Sequence, residues 1–292
     1  MKSRLVLLTP YEYYDIHHKN KRIIIVEGIS MTAHVYTIAS GKGGTGKTTT
    51  TLNLGTALAL MGKKTVVLDA DIGMANLGLL IGLERSKITL HEVMSGSANI
   101  KEAIYEGPGG LKVVPSGLSL KGFQKSNPDI LKEVMSTLVE GMDFMLIDAP
   151  AGISRDGVIP LAVADQVILV VNPELASMAD ALKTKALTEM LGRNVEGAVL
   201  NRATLEKTEI NRNKVSELLG VKILEMIPED PNVRLSAAFK TPIVVKSPNS
   251  PASIAYKRLA AQLAGEKFIE TSVEKNKDGF VDRLVKSIFG GK

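Results

Sequence analysis

The 292 residues predict an α/β fold built on one doubly wound, mostly parallel sheet flanked by helices. Short apolar, β-branched runs recur along the chain, with longer helical patterns between them. Those runs are apolar throughout rather than alternating, as strands covered on both faces must be. A glycine-rich loop separates the first run from the first helix, the strand–loop–helix order of a phosphate-binding unit.

The elements follow in order. Strands are expected over 35–39, 65–68, 111–114, 144–147, 166–171, 195–200 and 222–227, each a compact run of Val, Ile, Leu or Phe. Helices are expected over 48–61, 129–138, 176–191, 212–219 and 253–264. Gly62 is placed to close the first helix as its C′ residue. Pro242, Pro248 and Pro251 mark 241–251 as a loop before the last of these helices. With no internal repeat and no low-complexity linker, residues 31–264 form one domain. A polar stretch, 265–278, then separates it from a C-terminal segment, 279–292.

Residues 1–30 read differently, with Tyr11, Tyr13, Tyr14, His17 and His18 crowded together without a period. Met31 is the expected start of the protein, because the codons of Val26, Glu27 and Gly28 can contain a ribosome-binding sequence just upstream of it. The competing reading is an accessory strand over 22–26. Cysteine is absent, which excludes disulfides, thiol catalysis and cysteine-ligated iron–sulfur clusters. The net charge of +5 admits an anionic partner, membrane or nucleic acid, without choosing between them. No apolar run approaches a membrane span. The apolar stretch at 5–8 is too short for a signal peptide, so a cytoplasmic location is expected.

Gly41, Lys42, Gly43, Gly44, Thr45, Gly46, Lys47 and Thr48 satisfy the phosphate-loop pattern of P-loop NTPases. Glycines let backbone N–H groups turn inward onto phosphate oxygens. Lys47 is placed to reach the β- and γ-phosphates, and the Thr48 hydroxyl to ligate Mg²⁺; Thr49 continues the site. Asp69 and Asp71 follow the second strand, and alternation puts both on one side of an extended segment at its carboxyl end. Asp148 closes the apolar run 144–147 and is expected to contact Mg²⁺ through water.

The second lysine, Lys42, makes the loop resemble the deviant Walker A ATPases, the family that holds MinD, ParA and the nitrogenase iron protein. The lack of cysteine removes the iron–sulfur branches. The resemblance implies an ATPase that uses ATP and Mg²⁺ and forms a homodimer when ATP is bound, with Lys42 crossing to the partner's nucleotide. It implies that Asp71 positions or activates the attacking water, that Asp69 supports Mg²⁺, and that Gly152, in the stretch 149–152, swings its N–H onto a γ-phosphate. The family's base-recognition edge is matched by Asn201 and Arg202 and by Pro228, Glu229 and Asp230. Asn201 has the paired donor and acceptor that adenine requires; helix capping at strand exits is the alternative for both stretches. Asn172, Pro173 and Glu174 match the family as well, or simply start a helix.

The C-terminal segment selects the branch. On a helical wheel Phe280, Val281, Leu284, Val285, Ile288 and Phe289 fill one half, and Gly279, Asp282, Arg283, Lys286, Ser287 and Gly290 fill the other. A cationic amphipathic helix on a polar tether is what an interfacial membrane anchor requires, and the Phe-Gly-Gly ending resembles MinD-type members. Six apolar side chains at ~1.5–3 kcal/mol each give a gross gain near ~10 kcal/mol. Ordering the segment consumes most of that at ~1–2 kcal/mol per residue. One tail then binds an anionic membrane weakly, whereas two on a dimer gain on the order of 10²-fold. The reading is a membrane-associating ATPase switch for spatial positioning, of the cell division site or another structure, peripheral at the inner face of the membrane. Its protein partners are unidentified, and specific nucleic-acid binding is not expected. Rival readings are the flagellar-number regulator of the same group, a ParA-type DNA-partition ATPase, and an ATP-dependent biosynthetic enzyme. A terminal helix docked on its own fold or on a partner is the alternative for the tail.

Overall fold

A computed structural model describes residues 24–26, 29–31, 33–71, 74–117, 128–152, 155–204 and 212–269. The tail residues Phe280 to Phe289, read above as a membrane anchor, lie outside the described residues. Strands β1 (Ile24–Val26) and β2 (Ile29–Met31) form an antiparallel ribbon, with Val26 opposite Ile29. Next come β3 (His34–Ala39), α1 (Lys47–Leu60), β4 (Thr65–Asp69), α2 (Leu90–Met94), β5 (Tyr105–Glu106) and β6 (Lys112–Val114). Then follow α3 (Pro128–Val139), β7 (Phe144–Asp148), α4 (Arg155–Val163), β8 (Gln166–Val171), α5 (Leu175–Met190) and β9 (Asn194–Ala203). The described chain closes with α6 (Arg212–Leu219), β10 (Ile223–Pro228), α7 (Pro231–Ala238), α8 (Ile243–Lys246) and α9 (Pro251–Leu263).

The main sheet runs β10-β9-β8-β3-β7-β4-β6-β5 and is parallel except at β5, which pairs antiparallel with β6. Strand order reverses around β3, whose neighbours are β7 and β8. In a doubly wound sheet the crevice beyond the carboxyl ends of the strands at such a switch point receives the ligand. The loop 41–48 leaves β3 there.

Strand alternation sends residues to both faces. Ile38, Val67 and Leu146 join Leu52, Leu54 and Leu58 of α1 and Tyr256 and Leu259 of α9 in one core. Val66, Leu68, Met145 and Ile147 pack against Leu90 and Val93 of α2 and Val134 and Leu138 of α3 in a second. Val167, Leu169 and Val171 meet Met178 and Ala181 of α5 and Val215 and Leu219 of α6 in a third.

Several expectations need correction. The segment 241–251 is not loop throughout: α8 forms within it once Pro242 sits at the N-cap, where its missing N–H has no partner to lose. Strand β9 extends through Asn201 and Arg202 instead of ending before them. The helices α2, α4 and α7 and the two-residue β5 go unpredicted, being short or, in α4, carrying Pro160 inside the helix. Gly62 does take the left-handed conformation (φ 81°) just past Met61, as a C′ residue should.

Candidate phosphate-binding site

The loop enters α1 through Gly46, which caps the helix in the left-handed region (φ 92°, ψ 20°) that a side chain rarely adopts. Its carbonyl accepts the Thr50 N–H at 2.8 Å and so starts the helical ladder. At the other end of the loop, a Cβ on Gly41 would lie 2.2 Å from the backbone carbon of Asp180 in α5. Helix α5 therefore packs directly on the loop, and only glycine fits between them.

Beneath the loop lies a buried polar cluster. Lys47 Nζ donates to Asp148 Oδ1 at 2.9 Å, with both side chains almost wholly buried. Thr51 Oγ1, one helical turn on, donates to the same oxygen at 3.2 Å. Register places Asp69 beside Asp148 on neighbouring strands β4 and β7. Burial and the charge of Asp148 push the Asp69 carboxyl up to about 8. Asp69 Oδ2 and Asp148 Oδ2 have no hydrogen-bond partner among the described residues. Two buried acceptor oxygens and one shared lysine make an acid-rich set short of positive charge, which fits a hard, oxygen-seeking cation such as Mg²⁺. Thr48, half-buried at the start of α1, would supply the hydroxyl.

Asp71 lies two residues past the end of β4, within electrostatic reach of Lys47 and Asp148. The strand ends at Asp69, and the chain turns so that the Asp71 N–H donates to Asp69 Oδ1 at 3.1 Å. Asp71 is half-buried rather than buried, and its Oδ1 accepts the Met74 N–H at 3.0 Å. Burial raises its carboxyl above the ordinary range, with Lys47 opposing. Gly152, left-handed at φ 76°, donates its N–H to Ser40 O at 3.0 Å. It must give up that bond before it can serve a phosphate. Lys42 turns outward, and its Nζ meets Glu174 Oε2 at 2.9 Å at the start of α5.

The base-side residues converge. Gly46, Thr49, Asn201, Arg202, Pro228, Glu229 and Asp230 line one recess of about 190 Å³. Asn201 is buried and donates Nδ2–H to Thr45 O at 2.7 Å. Asp230 proves to be a helix cap: it accepts Asn232 N–H at 2.9 Å at the start of α7 and Ala252 N–H at 3.2 Å. Sequence reading missed Val233, Arg234 and Tyr256, which complete the recess. The first two belong to a helix it did not predict, and Tyr256 follows the core period of α9. Thr51 was legible in principle, since it lies four residues after Lys47 on one helix face.

Comparison with known proteins agrees with this arrangement. Residues 36–243 match the model of the CobQ/CobB/MinD/ParA nucleotide binding domain. An uncharacterised ATP-binding protein of Methanocaldococcus jannaschii is 46% identical over 262 residues, 90% of this chain and 99% of its own. The cell division ATPase MinD of Pyrococcus furiosus superposes with a TM-score of 0.75 at 35% identity, covering 80% of this chain and 99% of that one. The septum site-determining protein MinD of Pyrococcus horikoshii, solved complexed with Mg-ADP, gives 0.73 at 35% identity, covering 79% and 96%.

Proposed function

The chain belongs to the CobQ/CobB/MinD/ParA nucleotide-binding family, and from that premise we propose that it is an ATP-hydrolysing switch. It dimerises around ATP and Mg²⁺ and, as a dimer, holds an anionic membrane surface through residues 279–292. The observation that carries the nucleotide half is the buried set Lys47, Asp148 and Asp69 under a loop in which Gly41 and Gly46 meet neighbouring groups too closely for any side chain.

Each residue has a task in this reading. Lys47 exchanges part of its contact with Asp148 for the β- and γ-phosphates. Asp69, Asp148 and Thr48 would hold Mg²⁺, which would supply positive charge to the phosphate oxygens. Asp71, less buried than Asp69 and one turn outside it, orients the attacking water. Gly152 leaves Ser40 O to donate to the γ-phosphate. Phosphoryl transfer requires little beyond such positioning and charge neutralisation. Lys42 sits at the surface with only an exposed carboxylate to release, so it is available to a partner's nucleotide. The Mg-ADP complex of the similar Pyrococcus horikoshii protein supports the same ligand set here. Membrane binding rests on the sequence of 279–292, and with it a cytoplasmic protein peripheral at the inner face of the membrane, whose role is spatial positioning.

Co-sedimentation with anionic vesicles tests the whole reading, using the full chain and a form ending at residue 278, each in ATP and in ADP. Binding that requires both ATP and the tail is the expected result. Hydrolysis of ATP without lipid binding in either nucleotide would remove the membrane role and bring the DNA-partition reading forward.

A further inference from the structure

We propose that Asn201 is a positioning residue that sets the phosphate loop from the base side of the site, whether or not a base is bound. The inference rests on the nucleotide reading above and adds a second role to a residue otherwise expected only to recognise adenine.

The observations concern one side chain and two loop residues: Thr45, 156 positions away, and the adjacent Gly46. Asn201 Nδ2 donates to the carbonyl of Thr45 at 2.7 Å, a buried contact. The same nitrogen lies 2.2 Å from where a Cβ on Gly46 would be, so the amide fills the space that this glycine leaves. Thr45 is itself buried, and its Oγ1 has no hydrogen-bond partner among the described residues. The amide therefore satisfies the backbone carbonyl of the residue that precedes the left-handed Gly46. Lys47 and Thr48 follow at once. Loss of this donor would remove the bond that fixes the Thr45 peptide, and the loop would then be free to change that peptide's orientation.

Strand β9 is shaped to aim that amide. In its pairing with β10, Asn201 faces Ile227 while Pro228 faces Ala203, so Arg202 is an extra residue in the ladder. Arg202 takes φ 55°, one of two non-glycine residues in the left-handed region among those described. Such a bulge costs conformational energy and redirects a neighbouring side chain. The surroundings hold it: Glu229 N–H resumes the ladder at Ala203 O (3.1 Å), and Arg202 Nε lies 3.8 Å from Glu229 Oε2. Amide chemistry permits both roles. One N–H serves Thr45, and the second N–H and Oδ1 are left for a base. The recess and the loop thus share one side chain, so occupancy of either is felt by the other.

The test uses a ligand with no base. Binding of ATP and of inorganic tripolyphosphate is measured by calorimetry on the full chain, on Asn201→Ala and on Asn201→Leu. The leucine variant keeps the volume without adding charge, and thermal melts establish which variants are folded. The expected result is a loss of tripolyphosphate affinity of about tenfold in either variant, the scale of one buried hydrogen bond, with at least that loss for ATP. A variant that loses ATP affinity but holds tripolyphosphate as the parent does would overturn the proposal, since Asn201 would then recognise only the base. A parent chain that binds ATP but no tripolyphosphate at millimolar concentration would overturn it too, because its loop would not be set without a base. A parent chain that binds neither ligand removes the nucleotide reading itself.

Discussion

Asp69→Asn should make the protein more stable at alkaline pH, and the gain can be worked out from the site. The Asp69 carboxyl is buried beside Asp148, which raises it from an ordinary 3.8 to about 8. Between those values the folded protein keeps a proton that the unfolded chain has released. Stability linked to this group is therefore fully present below pH 3.8, falls as pH rises, and is gone above about 8. At 1.36 kcal/mol per pH unit, the interval sets a ceiling of ~6 kcal/mol. Relaxation around the charge, with Lys47 shifting toward it and water entering, lowers the loss to several kcal/mol. An asparagine keeps the shape and does not titrate. Urea unfolding of parent and variant, freed of nucleotide and held in chelator, should give a stability difference near zero at pH 4 that grows in favour of the variant up to pH 8–9. Saturating Mg²⁺ and ATP should reverse the order, because only the carboxylate can serve the cation. A difference that stays flat from pH 5 to 9, or a variant weaker than the parent at pH 9 without ligand, would refute the reasoning.

Glu174→Gln frees Lys42 from its 2.9 Å partner. Both side chains are partly exposed, so each pair is worth only ~0.2–1 kcal/mol. Two pairs would open in the proposed dimer, and sedimentation velocity in ATP should show self-association tightened severalfold. Gly41→Ala places a Cβ 2.2 Å from the Asp180 backbone, which cannot rotate away as a side chain would. Calorimetry should show at least a tenfold loss of ATP affinity, with ~1–3 kcal/mol of stability lost on melting. Gly43→Ala is the matched control: nothing lies within 4 Å of its added carbon, and stability should hardly change.

The nucleotide site was legible where chemistry is local. The loop 41–48 carries its own instructions, because glycines, the lysine and the threonine act through neighbours in the chain. Asp148 was legible because an apolar run ending in a carboxylate marks a buried strand emerging into a crevice. The membrane reading of 279–292 rests on a helical wheel alone. Asp71 was legible from strand alternation, but its backbone contact was not: the strand ends at Asp69, and the Asp71 N–H returns to Asp69 Oδ1. Helix α7, and with it Val233 and Arg234 in the recess, escapes periodicity because its apolar residues mark no single face, whereas the equally short α6 is amphipathic and was read from the sequence.

The sequence by itself determined the fold class and the nucleotide-binding family, and it named the candidate side chains, since apolar periodicity and loop composition are properties of contiguous residues. Tertiary structure alone decided how those side chains are shared. It assigned Lys47 to Asp148, Lys42 to Glu174 and the Asn201 amide to Thr45. Each of those partners lies more than 100 positions away, and only the order of the strands brings it within reach.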